Sequence, residues 1–392
     1  MARPAFEVAG IFRAHGARYR EQHGLPFHQL RLMHAIESCR TAALGGHVEK
    51  CGHCAEERIS YNSCCNRHCP KCQNLSRTRW VDCRKGELLP IDYHHVVFTI
   101  PEQLNDLVLR NKPLLYKILF AASAATLQTI AADPRHLGVQ IGFFSVLHSW
   151  GQNLLLFHPH IHCIATGGGI SLDGTRWISS KPGFFLPVRV LSRLFRRLFL
   201  EALEDAFRES LLCFPGKIEA LKEYAAFFDL TLSLRRIEWV VYSKPPFGGP
   251  HRVLEYLGRY THRVALDNRR IQNVSDEKVT FQYKQYRSAN AHKSRTMTVT
   301  ADEFIRRFLL HCLPPGLARI RHYGLFAGRT KRRNLARCRE LLEIPVESLL
   351  PSTAQIQAAI LPIPDTFRRC PTCLIGILVR IARIAPLQQN SS

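Results

Sequence analysis

Three histidines, His158, His160 and His162, recur at every second position of residues 150–169, inside an apolar run that closes in Gly167-Gly168-Gly169. A period of two is that of an extended strand, so on such a backbone all three imidazoles leave one face together. Leu154, Leu155, Leu156, Ile161 and Ile164 give the strand a buried character, and the glycines are expected to stop it. Buried imidazole is costly unless each ring nitrogen finds a donor, an acceptor or a metal. Neutral imidazole is also the commonest metal ligand. Two chemistries fit the alternation: at least two of the histidines hold a divalent ion, or the middle one, His160, is a nucleophile flanked by helpers.

A second constellation is built of cysteine. His47 precedes Cys51-Gly-His-Cys54, and Ser63-Cys64-Cys65-Asn-Arg-His68-Cys69-Pro-Lys-Cys72 follows. The two C-x-x-C pairs have the separation of a zinc ribbon, in which two tight turns converge four thiolates on one tetrahedral Zn2+. Cys51, Cys54, Cys69 and Cys72 are the expected ligands, with Cys64, His68 and His47 as spare donors. Such a closed site is structural, and its binding energy serves folding. A third pair, Cys370-Pro-Thr-Cys373, has no partner pair downstream and is left unassigned.

The third constellation is Tyr256 and Tyr260 in EYLGRYTHR, four residues apart and so on one face of a helix. Tyrosines at that spacing are usually packing residues. Here Arg252, Arg259, His262 and Arg263 surround them, which is unusual charge for a packing face. Farther on, Arg329, Lys331, Arg332 and Arg333 stand in a basic stretch with no acidic residue before Glu340.

Stepping along the chain, residues 1–45 read as a basic helical segment and 46–88 as the zinc-binding ribbon. Residues 90–312 form the main domain, in which strands at 93–100 and 139–146 precede the histidine strand. A helical insertion follows at about 187–228, then short strands at 238–242, 270–274, 279–286 and 296–300. Residues 313–340 read as a basic DNA-binding arm, and 341–392 as a linker and tail. The fold class is α+β, with an antiparallel sheet and flanking helices.

Composition sets the partner. The chain has 392 residues, 54 Lys+Arg against 31 Asp+Glu and a formal net charge of +23. That excess suits a phosphate-rich partner, because lysine and arginine displace condensed counterions from nucleic acid. No secretory leader and no uncharged stretch long enough to cross a bilayer is evident, so a cytoplasmic protein without membrane contact is expected. Fourteen cysteines in that compartment point to metal or free thiols rather than disulfides.

A divalent ion held by His160 and His162 can offset charge on a phosphate, and a tyrosine phenolate can then attack phosphorus. The product is a 5′-phosphotyrosine and a free 3′-hydroxyl, and the retained ester lets the reaction reverse onto another strand. HPHIHC followed by GGG, then EYLGRYTHRVAL, preceded by GGHVEKCGHC and SYNSCCNRHCPKCQ, resembles the zinc-ribbon transposases of rolling-circle insertion sequences. This IS91-like family consists of two-tyrosine HUH nucleases, named for histidine–hydrophobic–histidine. The resemblance covers about residues 10–340. It implies a ferredoxin-like antiparallel sheet carrying a catalytic Mg2+ or Mn2+, and nicking and transfer of single-stranded element ends. Carried over by position, His160 and His162 match the metal ligands, Tyr256 and Tyr260 the nucleophiles, and Cys51, Cys54, Cys69 and Cys72 the ribbon. The third catalytic ligand is left between His158 and Gln152. Two other readings compete: a histidine-triad nucleotide hydrolase or transferase, which would have no use for the ribbon, and a non-catalytic zinc-containing DNA-binding protein, which leaves the histidine strand without purpose.

Overall fold

The computed structural model describes residues 4–151, 156–244, 253, 258, 266–284, 294–344 and 369–387. Its first part runs α1 (Val8–Gln22), α2 (Phe27–Glu37), β1 (Gly46–Cys51), β2 (Glu57–Tyr61), α3 (Pro70–Lys85), β3 (Tyr93–Thr99), α4 (Asn105–Arg110) and α5 (Lys112–Ala132). Next come β4 (Val139–Trp150), β5 (Phe157–Ser171), β6 (Trp177–Ser179), α6 (Val188–Arg208), α7 (Tyr224–Arg236) and β7 (Val241–Lys244). The remainder is β8 (Ile271–Ser275), β9 (Lys278–Lys284), β10 (Ser294–Thr300), α8 (Ala301–Leu310), β11 (Ile320–Gly324), α9 (Lys331–Leu341) and β12 (Leu378–Ile384).

The central sheet has the order β11-β4-β5-β3-β7, with β6 added to the end of β5. Every pairing in it is antiparallel. The fold is therefore α+β, an antiparallel sheet flanked by helices. Strand alternation divides its two faces. Val96, Phe98, Phe143, Leu147, Ile161, Cys163 and Ala165 point into a core completed by α4, α5, α6 and α7. Residues of the opposite parity, Tyr93, Phe144 and Ile164, point the other way, into a smaller core with Leu325, Phe326 and Leu335. Helix α5 is long and apolar enough to cross a bilayer by length and composition, although it carries Lys112 and Lys117 and so is not an uncharged stretch. Leu115, Tyr116, Leu119, Phe120 and Leu127 are nonetheless buried against the sheet, as in the core helix of a folded domain.

The glycine triplet does not stop β5, which runs through it to Ser171. A Cβ on Gly167 would meet the Asp92 carbonyl oxygen at 2.8 Å, one on Gly168 that of Ile178 at 2.5 Å, and one on Gly169 that of Gln140 at 2.1 Å. Neighbouring backbones approach the strand here so closely that only hydrogen fits, which is the physical use of glycine at these positions.

A second core joins distant parts of the chain. Val8, Ile11, Phe12, Met33 and Ile36 of the N-terminal helices pack with Ile271, Val279, Phe281, Phe304 and Phe308. Ile271, Val279 and Phe281 lie on β8 and β9 of a separate three-stranded sheet, β10-β9-β8, and Phe304 and Phe308 on α8. The N-terminal helices thus share one core with β8, β9 and α8. Within residues 313–340, Ile320–Gly324 is an edge strand of the central sheet paired with β4, and α9 buries Leu335 and Cys338. A third sheet, β12-β1-β2, unites the tail with the ribbon hairpin.

Candidate active site and the cysteine clusters

The register of the central sheet assembles four histidines on one face. Across β4 and β5, His148 lies opposite His160 and Val146 opposite His162; across β3 and β5, Val97 lies opposite His162. His95 has the same parity two residues upstream on β3. None of these belongs to the parity packed under the helices, so all four project from the face opposite α5 and α6. One ligating nitrogen from each of His148, His160 and His162 lies within 4.8 Å of the others.

The hydrogen bonds around them restrict the tautomers. His160 Nδ1 is 2.8 Å from the His158 carbonyl oxygen. A carbonyl only accepts, so Nδ1–H donates and neutral His160 turns the lone pair of Nε2 toward His162. The two Nε2 atoms are 3.0 Å apart. Adjacent ligands of an octahedral ion at about 2.1 Å are separated by about 3.0 Å, so the pair fits a small divalent cation. His162 in turn meets His95, whose Nε2 is 2.8 Å from His162 Nδ1. His95 is kept neutral: burial first, then Lys244 and His160, lower its pKa to about 3. Trp150 stacks on His148 at 4.9 Å between ring centroids, and the Arg319 guanidinium lies over the Trp150 ring at 4.9 Å from its centroid.

His160 and His162 are brought together as expected, whereas His158 is not the third member. Its backbone carbonyl accepts from His160 Nδ1, and its ring lies 5.4 Å from the His160 ring between centroids. Four residues along a strand span about 13 Å, too far for the rings of His158 and His162 to share one ion. Directly opposed residues on neighbouring antiparallel strands are only about 4.5–5.5 Å apart, which is why His148 takes the place. Gln152, Tyr256, Tyr260, Arg252, Arg259 and Arg263 lie outside the described residues. Two residues of the tyrosine segment are described: Val253 and Gly258 are helical and buried. Val253 belongs to the same small core as Tyr93, Phe144 and Ile164, on the histidine side of the sheet. Of the basic stretch, Arg329, Arg332 and Arg333 are exposed, while Lys331 is ion-paired with Glu87.

The expected zinc quartet is not gathered at one point. Cys69 and Cys72 converge with Cys39 and Cys64, whereas Cys51 and Cys54 converge with Cys370 and Cys373. Hairpin β1–β2 carries the first C-x-x-C away from the second, and Cys39, just past α2, fills the vacated position. In the first cluster the Cys39–Cys69, Cys39–Cys72 and Cys64–Cys72 sulfur distances are all 3.6 Å. Sulfurs at about 2.3 Å from a tetrahedral Zn2+ stand about 3.8 Å apart, so four thiolates here fit that ion and no disulfide. Hydrogen bonding, first with Cys64 and then Cys69, draws the Cys39 thiol down to about 7. Of the spare donors, Cys64 is recruited. His68 accepts the backbone N–H of Leu313, and His47 pairs with Glu49. Because Cys39, Cys69 and Cys72 line the second core, a zinc held by this cluster would tie the end of α2 and the start of α3 against it. Cys39, His95 and His148 escaped the sequence reading because each is a single residue whose partners come from other elements.

Comparison with known proteins agrees with this architecture. Residues 11–100 match a family described as "Transposase zinc-binding domain", and residues 142–334 one described as "Putative transposase". The first segment contains the whole Cys39 cluster and the second contains the three clustered histidines. The chain belongs to the IS91-like transposases, which carry an N-terminal zinc-binding domain. It is 54% identical over 386 residues to "Putative transposase y4qJ" of Sinorhizobium fredii (strain NBRC 101917 / NGR234), covering 97% of this chain and 96% of that one. It is 25% identical over 361 residues to "Transposase for insertion sequence element IS801" of Pseudomonas savastanoi pv. phaseolicola, covering 90% and 83% respectively. No solved structure matches the chain.

Proposed function

We propose that this transposase nicks and rejoins single-stranded ends of its element by a rolling-circle mechanism in the cytoplasm, using His148, His160 and His162 as a catalytic metal centre and Tyr256 and Tyr260 as nucleophiles. The observation that carries the reading is the 3.0 Å approach of two Nε2 lone-pair positions on a buried strand face, with a third imidazole opposite them. A bound Mg2+ or Mn2+ supplies Lewis-acid stabilisation of the charge that develops on the scissile phosphate.

The chain's own residues do the rest. A phenolate oxygen of one tyrosine attacks phosphorus, forming the Tyr–O–P bond while the P–O3′ bond breaks. The departing 3′ oxygen takes up a proton, and the phosphotyrosine ester retains the 5′ end. Attack by another strand's 3′-hydroxyl reverses these steps and regenerates the phenol, and a second tyrosine one helical turn away receives a second end. Burial of Val253 in the same small core as Ile164, two residues along β5 from His162, supports placing the tyrosine helix over the histidine face. Exposed Arg329, Arg332 and Arg333, with Arg252, Arg259 and Arg263, are the proposed phosphate contacts.

Incubation of the protein with Mg2+ or Mn2+ and labelled single-stranded oligonucleotides from the element's ends tests this reading. A protein–DNA band that survives denaturation is expected, and it should vanish in EDTA. Cleavage that persists in EDTA without a covalent band would overturn it.

A further inference from the structure

We infer that Cys370-Pro-Thr-Cys373 completes a second tetrathiolate zinc site with Cys51-Gly-His-Cys54, and that this site staples the tail strand β12 onto β1. The four sulfurs lie within 4.8 Å of one another, with Cys51–Cys373 at 3.7 Å and Cys54–Cys370 at 3.6 Å. These distances match the roughly 3.8 Å edge of a tetrahedral zinc thiolate and are far beyond a disulfide bond.

The two turns are built alike, although 316 residues separate Cys54 from Cys370. In each, the carbonyl of the first cysteine accepts an N–H from the residue after the second: Ala55 to Cys51 at 3.1 Å, Leu374 to Cys370 at 2.9 Å. That residue is left-handed in both, at φ 57° for Ala55 and 59° for Leu374. Backbone amides then aim at sulfur. His53 and Cys54 donate to Cys51 Sγ at 3.4 and 3.5 Å, and Gly376 donates to Cys373 Sγ at 3.3 Å. Such donors favour the thiolate form that a metal requires. A Cβ on Gly376 would fall 2.3 Å from Cys51 Sγ, so the tail turn is seated directly on the N-terminal one.

Without a metal, little would hold the tail there. Strand β12 pairs with β1 from Gly46↔Ile384 to Cys51↔Leu378, yet only Leu378 of its seven residues is buried. Val379 and Ile381 are 58% and 51% exposed, and the local core consists of Cys51, Cys370 and Leu378, with Cys373 against it. A three-stranded sheet with so small a core lacks the apolar burial that would stabilise it alone, and metal binding supplies folding energy in such units.

The inference is independent of the nuclease reading and is tested without measuring cleavage. The full-length protein should contain two zinc ions per chain by elemental analysis. Cys370→Ser with Cys373→Ser should leave one, as should Cys51→Ser with Cys54→Ser, and the fourfold variant should also retain one. Amides of residues 378–384 should exchange hydrogen at least tenfold faster in these variants. One zinc in the unmodified protein, or two in the tail variant, would overturn the assignment. Should the variants fail to fold, thiol alkylation of the unmodified protein decides: Cys54, although exposed, should resist iodoacetamide until a chelator is added. Immediate labelling of Cys54 in the zinc-loaded protein counts against the site.

Discussion

His95 and His162 stack almost parallel, 5° between planes and 5.0 Å between ring centroids, with Nε2 of the first 2.8 Å from Nδ1 of the second. For His162 to offer an Nε2 lone pair to a metal, its Nδ1 must carry the proton and donate it to His95. A neutral, buried His95 that accepts this bond selects the ligating tautomer, as outer-shell partners of metal-bound imidazoles do. His95→Ala is therefore expected to weaken Mn2+ binding by about 10–100-fold. Titration of the metal by calorimetry checks this, and an unchanged affinity would show that His95 is only a packing residue.

The third ligand separates two residues that look equivalent on paper. His148→Ala removes the ring opposed to His160 and should bring metal-dependent nicking to background. His158→Ala keeps the backbone carbonyl that holds His160 and should retain activity within a few-fold. If the two variants exchange these phenotypes, His158 is the ligand and the register argument fails.

For the tyrosines, Tyr256→Phe combined with Tyr260→Phe should abolish the covalent adduct while binding of single-stranded DNA persists. Each single variant should retain an adduct on the remaining phenol if both serve as nucleophiles. Wild-type cleavage by the double variant would remove them from the mechanism.

Stability should also respond to acid through His322, on β11. Burial first, then Lys331 and Arg84, lower its pKa to about 4, against about 6.5 in an unfolded chain. Between these values the unfolded chain binds the proton more readily, so stability rises with pH across the window. The contribution is complete above about pH 6.5 and is lost as pH falls toward 4. Replacing His322 by Phe, beside Phe144, should flatten the denaturation midpoint between pH 4.5 and 6.5 by roughly this one group's share. An identical slope in the variant would exclude His322 as its source.

Gly169→Ala places a methyl group 2.1 Å from the Gln140 carbonyl oxygen, an immovable backbone atom of the next strand. Separation of β4 from β5 should cost about 2 kcal/mol or more, the scale of overpacking in a closed site. Thermal unfolding of the variant gives the value. A melting temperature equal to that of the parent would mean that the strands can part there at no cost.

Much of this molecule was legible as sequence because its signals are local and periodic. Alternation placed His160 and His162 on one strand face, β-branched runs marked β3 and β4, and C-x-x-C spacing announced thiolate metal sites. The basic balance pointed to nucleic acid before any element was known. Tertiary structure alone decided which residues meet across elements. Sequence distance along a strand made His158 look close to His162, but the register of β4 brings His148 nearer, because neighbouring strands are closer than residues four apart on one strand. Spacing likewise joined Cys51 and Cys54 to Cys69 and Cys72, whereas the hairpin and the returning tail distribute them between two clusters. A ligand set is a statement about distance in space, and only the packed backbone supplies that distance.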